Sequence, residues 1–153
     1  MRFPFEPKFI TGRFGTLSEY RRKNNLQAHS GVDWARPDNT PIPSVANGTI
    51  VLKQWSNVLG NVSVLRVMGN DGDLYYFGFC HLAEPGLDVG TKVKEGDIIG
   101  KVGGGARTPS GSASTGAHLH LTLSKQIKGV FGPTSVKQDP IEFIKANKTK
   151  AKK

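Results

Sequence analysis

The scatter of glycine and proline constrains the fold of this chain more than any other feature of its sequence. Nineteen glycines and nine prolines are spread over 153 residues without a regular period. They separate short runs that are rich in β-branched and aromatic residues, a pattern that favours strands connected by turns. The sequence therefore predicts an all-β or β-dominated domain.

Five runs are predicted to be strands and two short segments to be helices. Asn70-Asp71-Gly72 fits a hairpin turn between the second and third strands, which makes that pair antiparallel. Asp139 is a good N-cap and Pro140 suits the first position of the helix that follows. The predicted strands are 49–54, 62–68, 73–82, 98–102 and 117–123, and the predicted helices are 17–25 and 140–146.

Size and composition narrow the class of protein. A chain of 153 residues can bury one hydrophobic core but is short for two ordinary domains. Hydrophobic residues at 37% and charged residues at 22% are typical of a globular protein, and no apolar run approaches the roughly 18 residues of a membrane span. The single cysteine, Cys80, cannot form an intramolecular disulfide, and we expect it to be a small buried hydrophobic residue.

The net charge of +9 is unevenly distributed. Five lysines and no acidic residue fall in 145–153, and Arg21, Arg22 and Lys23 form a second basic cluster. The remainder of the chain is nearly neutral. We expect residues 145–153 to be a disordered basic tail whose partner is an anionic polymer. No nucleic-acid-binding motif accompanies the tail, so nucleic acid is not an expected partner.

The histidines fall in three short motifs. His29 and Asp33 stand four residues apart in His-Ser-Gly-Val-Asp. His118 and His120 lie in a predicted strand, where residues i and i+2 share a face with their Cα atoms about 6.6 Å apart. Both imidazoles should therefore point the same way, with Leu119 directed to the core.

The fourth histidine ends a strand of alternating residues. Strict alternation puts Cys80 and His81 on opposite faces of the sheet, which argues against a Cys-His nucleophile. The predicted faces are Tyr75, Phe77, Phe79 and His81 on one side, and Tyr76, Gly78, Cys80 and Leu82 on the other.

These motifs together meet the requirements of a catalytic zinc site. Such a site takes three protein ligands of nitrogen and carboxylate type and leaves one position open. His29, Asp33 and one of His118 or His120 would supply that number. Because no His-Glu-x-x-His motif is present, the base must be one of the remaining histidines.

Over residues 12–144 the sequence resembles the lysostaphin/LytM-type zinc metallopeptidases, which cleave peptide bonds in peptidoglycan. The resemblance implies a single antiparallel β-sheet groove of the duplicated-hybrid-motif type, in a metallopeptidase domain 1–144 followed by the tail. The matching segments are His29 to Asp33, Pro41 to Ile50, Cys80-His81-Leu82, Val93 to Gly100 and Ser114 to His120.

The resemblance also implies roles for individual residues. His29, Asp33 and His120 become the ligands of one zinc ion, and His81 and His118 become the catalytic pair. Members of the family often carry a tyrosine shortly before the first ligand that stabilises the transition state. Tyr20 is the nearest tyrosine here and is the candidate for a transition-state or substrate contact.

Two other classes of protein fit less well. A D-Ala-D-Ala carboxypeptidase type of zinc peptidase also uses His, Asp and His, but spaces the first two more widely and ends on a lone histidine. A non-catalytic wall-binding or lipoyl-like module would explain the turn at 93–100 but not the complete ligand set. The sequence leaves open which peptide bond is cut, which histidine is the base, and whether loop 103–116 is a linker or a wall of the substrate groove.

The expected place of action is the bacterial cell wall or periplasm, where the enzyme would lyse cells or penetrate the wall and so act as an antimicrobial. The N-terminus lacks the apolar region of a secretory signal. Together with the lack of a second domain, this favours a phage or prophage lysin, an endolysin released by a holin or an enzyme carried in a virion. A processed fragment of a larger precursor would look the same. We expect a monomer.

Overall fold

Two antiparallel sheets form the framework of the computed structural model, which describes residues 1–104 and 116–148. Within these ranges the strands are β1 (Ile10–Gly12), β2 (Val32–Ala35), β3 (Pro41–Pro43), β4 (Gly48–Ser56), β5 (Gly60–Met68), β6 (Leu74–Leu82), β7 (Lys92–Val93), β8 (Ile98–Lys101), β9 (His118–Ser124) and β10 (Lys137–Gln138). The helices are α1 (Glu19–Lys23) and α2 (Pro140–Ala146), with 3-10 helices at Pro7–Phe9, Ile127–Phe131 and Thr134–Val136.

The large sheet has the strand order β1-β2-β9-β6-β5-β4-β7, and β10 pairs with the end of β9. The small sheet pairs β3 with β8, so it contains the predicted strand 98–102. The prediction of a mainly β, antiparallel fold with short helices is confirmed.

Hydrophobic side chains cover both faces of the large sheet. On one face Phe77, Phe79, Leu119 and Leu121 are fully buried in the main core. On the other face Val62, Val64 and Cys80 form a smaller cluster with Val130 of the 3-10 helix Ile127–Phe131. This arrangement confirms that Leu119 faces the core and that Cys80 is a buried hydrophobic residue.

Local sequence accounts for the hairpin between β5 and β6. The backbone N–H of Gly69 donates to Asp73 across the turn at 2.9 Å, and the Asp71 carboxylate accepts from the N–H of Asp73. Gly72 adopts φ +83°, which glycine reaches without the steric cost that a Cβ adds. The predicted turn at residues 70–72 is confirmed.

Both predicted helices form, with different lengths. α1 covers only five of the nine predicted residues, because Ser18 caps its start and Asn25 has φ +52° just after its end. α2 matches its prediction, and Asp139 accepts a hydrogen bond from the N–H of Ile141 as its N-cap. The predicted domain boundary at residue 144 therefore falls inside α2.

Two segments that the sequence singled out lie partly or wholly outside the described residues. Only residues 103–104 and 116 of the loop 103–116 are described, as are residues 145–148 of the predicted tail. Among the described helices, none has the length and apolar character needed to cross a membrane.

Candidate metal centre

Strand pairing brings two of the predicted ligands together. β2 lies antiparallel to β9 with Asp33 directly opposite His120, so both side chains leave the same face of the sheet. The Nδ1 atom of His120 lies 2.7 Å from Oδ1 of Asp33. Gly31 permits this close approach of the chains, because a Cβ there would lie 2.3 Å from the carbonyl oxygen of Leu121.

His29 reaches the same point from the loop before β2. Its Nε2 lies 3.1 Å from Oδ2 of Asp33, and its Nδ1 lies 3.1 Å from the carbonyl oxygen of Arg13. Since that carbonyl can only accept, the Nδ1–H of His29 donates to it, and Nε2 is the ring nitrogen that faces Asp33 and is placed to bind a metal. A hydrogen bond of this kind from the remote ring nitrogen is usual for a histidine that binds a metal.

The three side chains have the geometry of a metal site. The candidate ligand atoms of His29, Asp33 and His120 all lie within 4.8 Å of one another. Tetrahedral zinc with bonds of about 2.1 Å needs its ligand atoms about 3.4 Å apart, so small side-chain movements suffice. Two nitrogens and one carboxylate oxygen suit zinc chemically, and the structure fits the predicted ligand set.

The electrostatics of the cluster keep the ligands in the forms that bind a metal. Burial alone would raise the pKa of Asp33, but hydrogen bonds with His120 and His29 outweigh it and hold that pKa well below its usual value. Burial lowers the pKa of His120, and the hydrogen bond that its Nδ1–H donates to Asp33 opposes this effect only in part. An ionised carboxylate and a neutral imidazole are the states that metal binding requires.

His81 and His118 lie next to this cluster. Their ring centroids are 4.8 Å apart, and the centroid of His81 is 6.0 Å from that of His120. Nε2 of His118 lies 3.8 Å from Oδ1 of Asp33, and its Nδ1 lies 2.8 Å from the carbonyl oxygen of Gly116. Burial, reinforced by neighbouring His118 and His120, lowers the pKa of His81 to about 3.

The prediction that His81 lies on the same face of the sheet as Phe79 is wrong. Ser63 pairs with Phe79 and Asn61 with Leu82, so β6 uses three residues where β5 uses two, and His81 takes φ +59°. This bulge shifts the alternation by one residue. Leu82 therefore joins Phe79 in the main core, while His81 lies on the same side of the sheet as His120 and Cys80. The Cys80 thiol remains inert, because burial raises its pKa to about 12.

Gly103 joins the two neighbouring histidines and was not identified from the sequence. Its N–H donates to the carbonyl of His81 at 2.9 Å, and its carbonyl accepts from the N–H of His118 at 3.3 Å. A Cβ at this position would lie 2.6 Å from the backbone nitrogen of Ala83. Its only sequence signal is its place at the start of a glycine run just after a strand.

Tyr20 lies on α1, apart from the buried cluster, and its side chain is 69% exposed. The next residue, Arg21, lines a cavity of about 500 Å³ that also includes Ser30. The Ser30 hydroxyl lies 3.4 Å from Nε2 of His120, so this cavity adjoins the metal ligands. The role of Tyr20 stays a prediction.

Comparisons with known proteins agree with this site. The model of peptidase family M23 matches residues 27–133. Lysostaphin from Staphylococcus simulans is 34% identical over 118 residues, which cover 77% of this chain and 22% of lysostaphin. The peptidoglycan DD-endopeptidase ShyC from Vibrio cholerae is 27% identical over 120 residues, which cover 78% of this chain and 25% of ShyC. The chain thus spans about a quarter of the length of these relatives.

A solved structure extends the likeness to three dimensions. The structure of LytU superimposes with a TM-score of 0.67 at 28% sequence identity. The match covers 95% of this chain and 90% of LytU, so it includes nearly the whole fold described above.

Proposed function

Because the chain belongs to peptidase family M23, we propose that it is a zinc-dependent endopeptidase that hydrolyses peptide bonds in bacterial peptidoglycan. The observation that carries the proposal is the meeting of His29, Asp33 and His120 on one face of the sheet, with His81 and His118 beside them. The likeness to ShyC, a peptidoglycan DD-endopeptidase, supports the choice of substrate.

In this proposal His29 Nε2, a carboxylate oxygen of Asp33 and His120 Nδ1 hold one zinc ion. When bound, zinc supplies Lewis acidity, which polarises a peptide carbonyl and makes water acidic enough to lose a proton near neutral pH. The protein contributes the placement of these groups, because the carbonyl of Arg13 orients His29 and strand pairing orients Asp33 and His120.

The hydrogen bonds of the other two histidines support one division of the proton transfers between them. His118 donates Nδ1–H to the carbonyl of Gly116, so its Nε2, which faces the metal ligands, can accept the proton of the attacking water. Nδ1 of His81 is buried without a hydrogen-bond partner in the described structure. A buried N–H there would be costly, so the proton sits on Nε2, which can donate to the developing oxyanion.

Two substitutions and a product analysis test this assignment. His120→Ala should lose bound zinc and activity together, because it removes a ligand. His118→Ala should keep one equivalent of zinc and lose turnover by at least about a hundredfold, since it removes only the base. Zinc is measured by atomic spectroscopy, and cleavage by mass spectrometry of muropeptides from several peptidoglycan types.

The products also separate the alternatives. Internal cleavage of cross-linked peptides supports an endopeptidase, whereas release of a single terminal D-alanine would support a carboxypeptidase. If His120→Ala retains both zinc and activity, the ligand assignment is wrong.

We further propose that the enzyme acts at the cell wall. The support is the name of one relative, ShyC, which is a peptidoglycan DD-endopeptidase. Release by a holin, carriage in a virion and processing from a longer precursor all stay predictions, as does the monomeric state. Static light scattering of the purified chain tests the last of these directly.

A further inference from the structure

Two of the residues that line the cavity of about 500 Å³ contact residues of the candidate site. The hydroxyl of Ser30 lies 3.4 Å from Nε2 of His120. The carbonyl of Leu59 accepts the backbone N–H of His81 at 2.8 Å. The cavity is therefore one residue away from both groups of histidines, near enough to receive a neighbouring group of a peptide bound at the site.

A buried lysine lines the same cavity. Lys137 is only 9% exposed although it carries a long cationic side chain. It stands opposite Ser124 in the pairing of β10 with β9, and its ammonium donates to the carbonyl of Gly132. Burial lowers the pKa of Lys137.

Lys137 has no carboxylate partner within the described residues, although burying a charge without a counter-charge is costly. One carbonyl satisfies only one of the three donors of an ammonium group. The ammonium group therefore has donors to offer a ligand, and Lys137 is one of the residues that line the cavity.

Arg21 adds a second cation at the cavity, half-buried and fixed by a 2.9 Å hydrogen bond from its Nη1 to the carbonyl of Gln27. No described residue that lines the cavity is acidic. The walls between the two cations include the apolar side chains of Val130 and Phe131, which lower the local polarity and strengthen attraction of an anion.

We propose that Lys137 and Arg21 form a subsite that binds a free carboxylate of the substrate peptide. The inference rests on the proposed function, since it takes the cavity as part of a peptidase groove. It predicts that the enzyme prefers cross-linked stem peptides that carry an ionised carboxylate near the cleaved bond over neutral segments such as an all-glycine bridge.

The test compares substrates that differ only in charge. Zinc-loaded enzyme is given soluble muropeptide dimers in which the glutamyl α-carboxylate, the diamino-acid carboxylate or the C-terminal carboxylate is replaced, one at a time, by its amide. One amide should lower kcat/KM by about tenfold or more, as expected for loss of a charge-assisted hydrogen bond. That amide identifies the bound carboxylate. If none of the three changes kcat/KM by more than about twofold, the proposal is wrong.

Variants assign the preference to the cavity. Lys137→Met should reduce kcat/KM for the carboxylate substrate about tenfold and leave the value for the corresponding amide unchanged. A purely structural role for Lys137 would lower both values alike. Lys128→Met is the matched control, because Lys128 is exposed and lies outside this cavity. Arg21→Gln should reduce the preference by a smaller factor.

A binding measurement separates this inference from the proposed activity. Monomeric product muropeptides and their amides are titrated into the same proteins by calorimetry. Preferential binding of the carboxylate form, lost in Lys137→Met, without cleavage of the dimers would retain the subsite and reject the endopeptidase. Cleavage of the dimers without any preference for the carboxylate form would retain the endopeptidase and reject the subsite.

Discussion

At the scale of single residues, Gly103 links the two histidines of the proposed catalytic pair. Its N–H and carbonyl connect the backbones of His81 and His118, and the backbone of Ala83 occupies the space that a side chain would need. The proposed zinc ligands are positioned by other contacts, those of β2, β9 and the loop before β2.

Gly103→Ala should therefore reduce kcat strongly while leaving one equivalent of zinc bound. The overlap with Ala83 should also cost about 1–3 kcal/mol of unfolding free energy. Activity, zinc content and urea unfolding measure the three effects. Gly116→Ala is the control, because Gly116 is also close to His118 in the sequence. A Cβ at Gly116 meets nothing within 4 Å among the described residues. Equal losses in both variants would contradict the argument.

At the scale of elements, two segments hold the loop that carries His29. The 3-10 helix Thr134–Val136 binds this loop through Thr134, whose N–H donates to the side-chain oxygen of Gln27 and whose hydroxyl donates to the carbonyl of Ala28. On the other side, Arg21 of α1 donates to the carbonyl of Gln27. A ligand on a loop needs such support, because backbone disorder there would weaken metal binding.

Thr134→Val removes the hydroxyl and nearly preserves the shape of the side chain. We expect the loss of about 1 kcal/mol of stability, as for one hydrogen bond, together with a several-fold weaker affinity for zinc. Competition with a chelator measures the affinity. Thr91→Val is the control. It removes a similar hydrogen bond, which the Thr91 hydroxyl donates to the carbonyl of Asp88 at 2.7 Å in an exposed turn. This variant should lower stability without changing the affinity for zinc.

At the scale of the whole molecule, the C-terminal helix is part of the packed domain. Phe143 of α2 packs against Tyr75 with ring centroids 4.4 Å apart. Beyond the helix, the side-chain oxygen of Asn147 accepts from the N–H of Asn70 at 2.7 Å, and Asn70 donates to the carbonyl of Ala146 at 3.3 Å. These contacts attach the end of α2 to the hairpin between β5 and β6.

Two truncations should consequently behave differently. Removing 149–153 deletes three lysines and should leave thermal stability and activity on soluble muropeptides unchanged, while activity on whole cells falls at low salt. Removing 145–153 should in addition cost about 2 kcal/mol, because the contacts of Ala146 and Asn147 are lost. Equal loss of activity on soluble and cellular substrates in the shorter deletion would exclude a targeting role for those lysines.

Local patterns were sufficient to predict the long strands, the hairpin turn at 70–72 and the shared face of His118 and His120, since all three depend on side-chain periodicity or turn residues within a few positions. The family resemblance supplied the choice of His29, Asp33 and His120 as a set. Of the short strands, β8 was predicted, but others such as β2 and β10 were missed, because two to four residues carry little periodic signal. Tertiary structure alone decided the side of the sheet on which His81 lies, since the bulge in β6 arises from its register with β5. It also decided that Lys137 lines the same cavity as Ser30, because the pairing of β10 with β9 places that residue there.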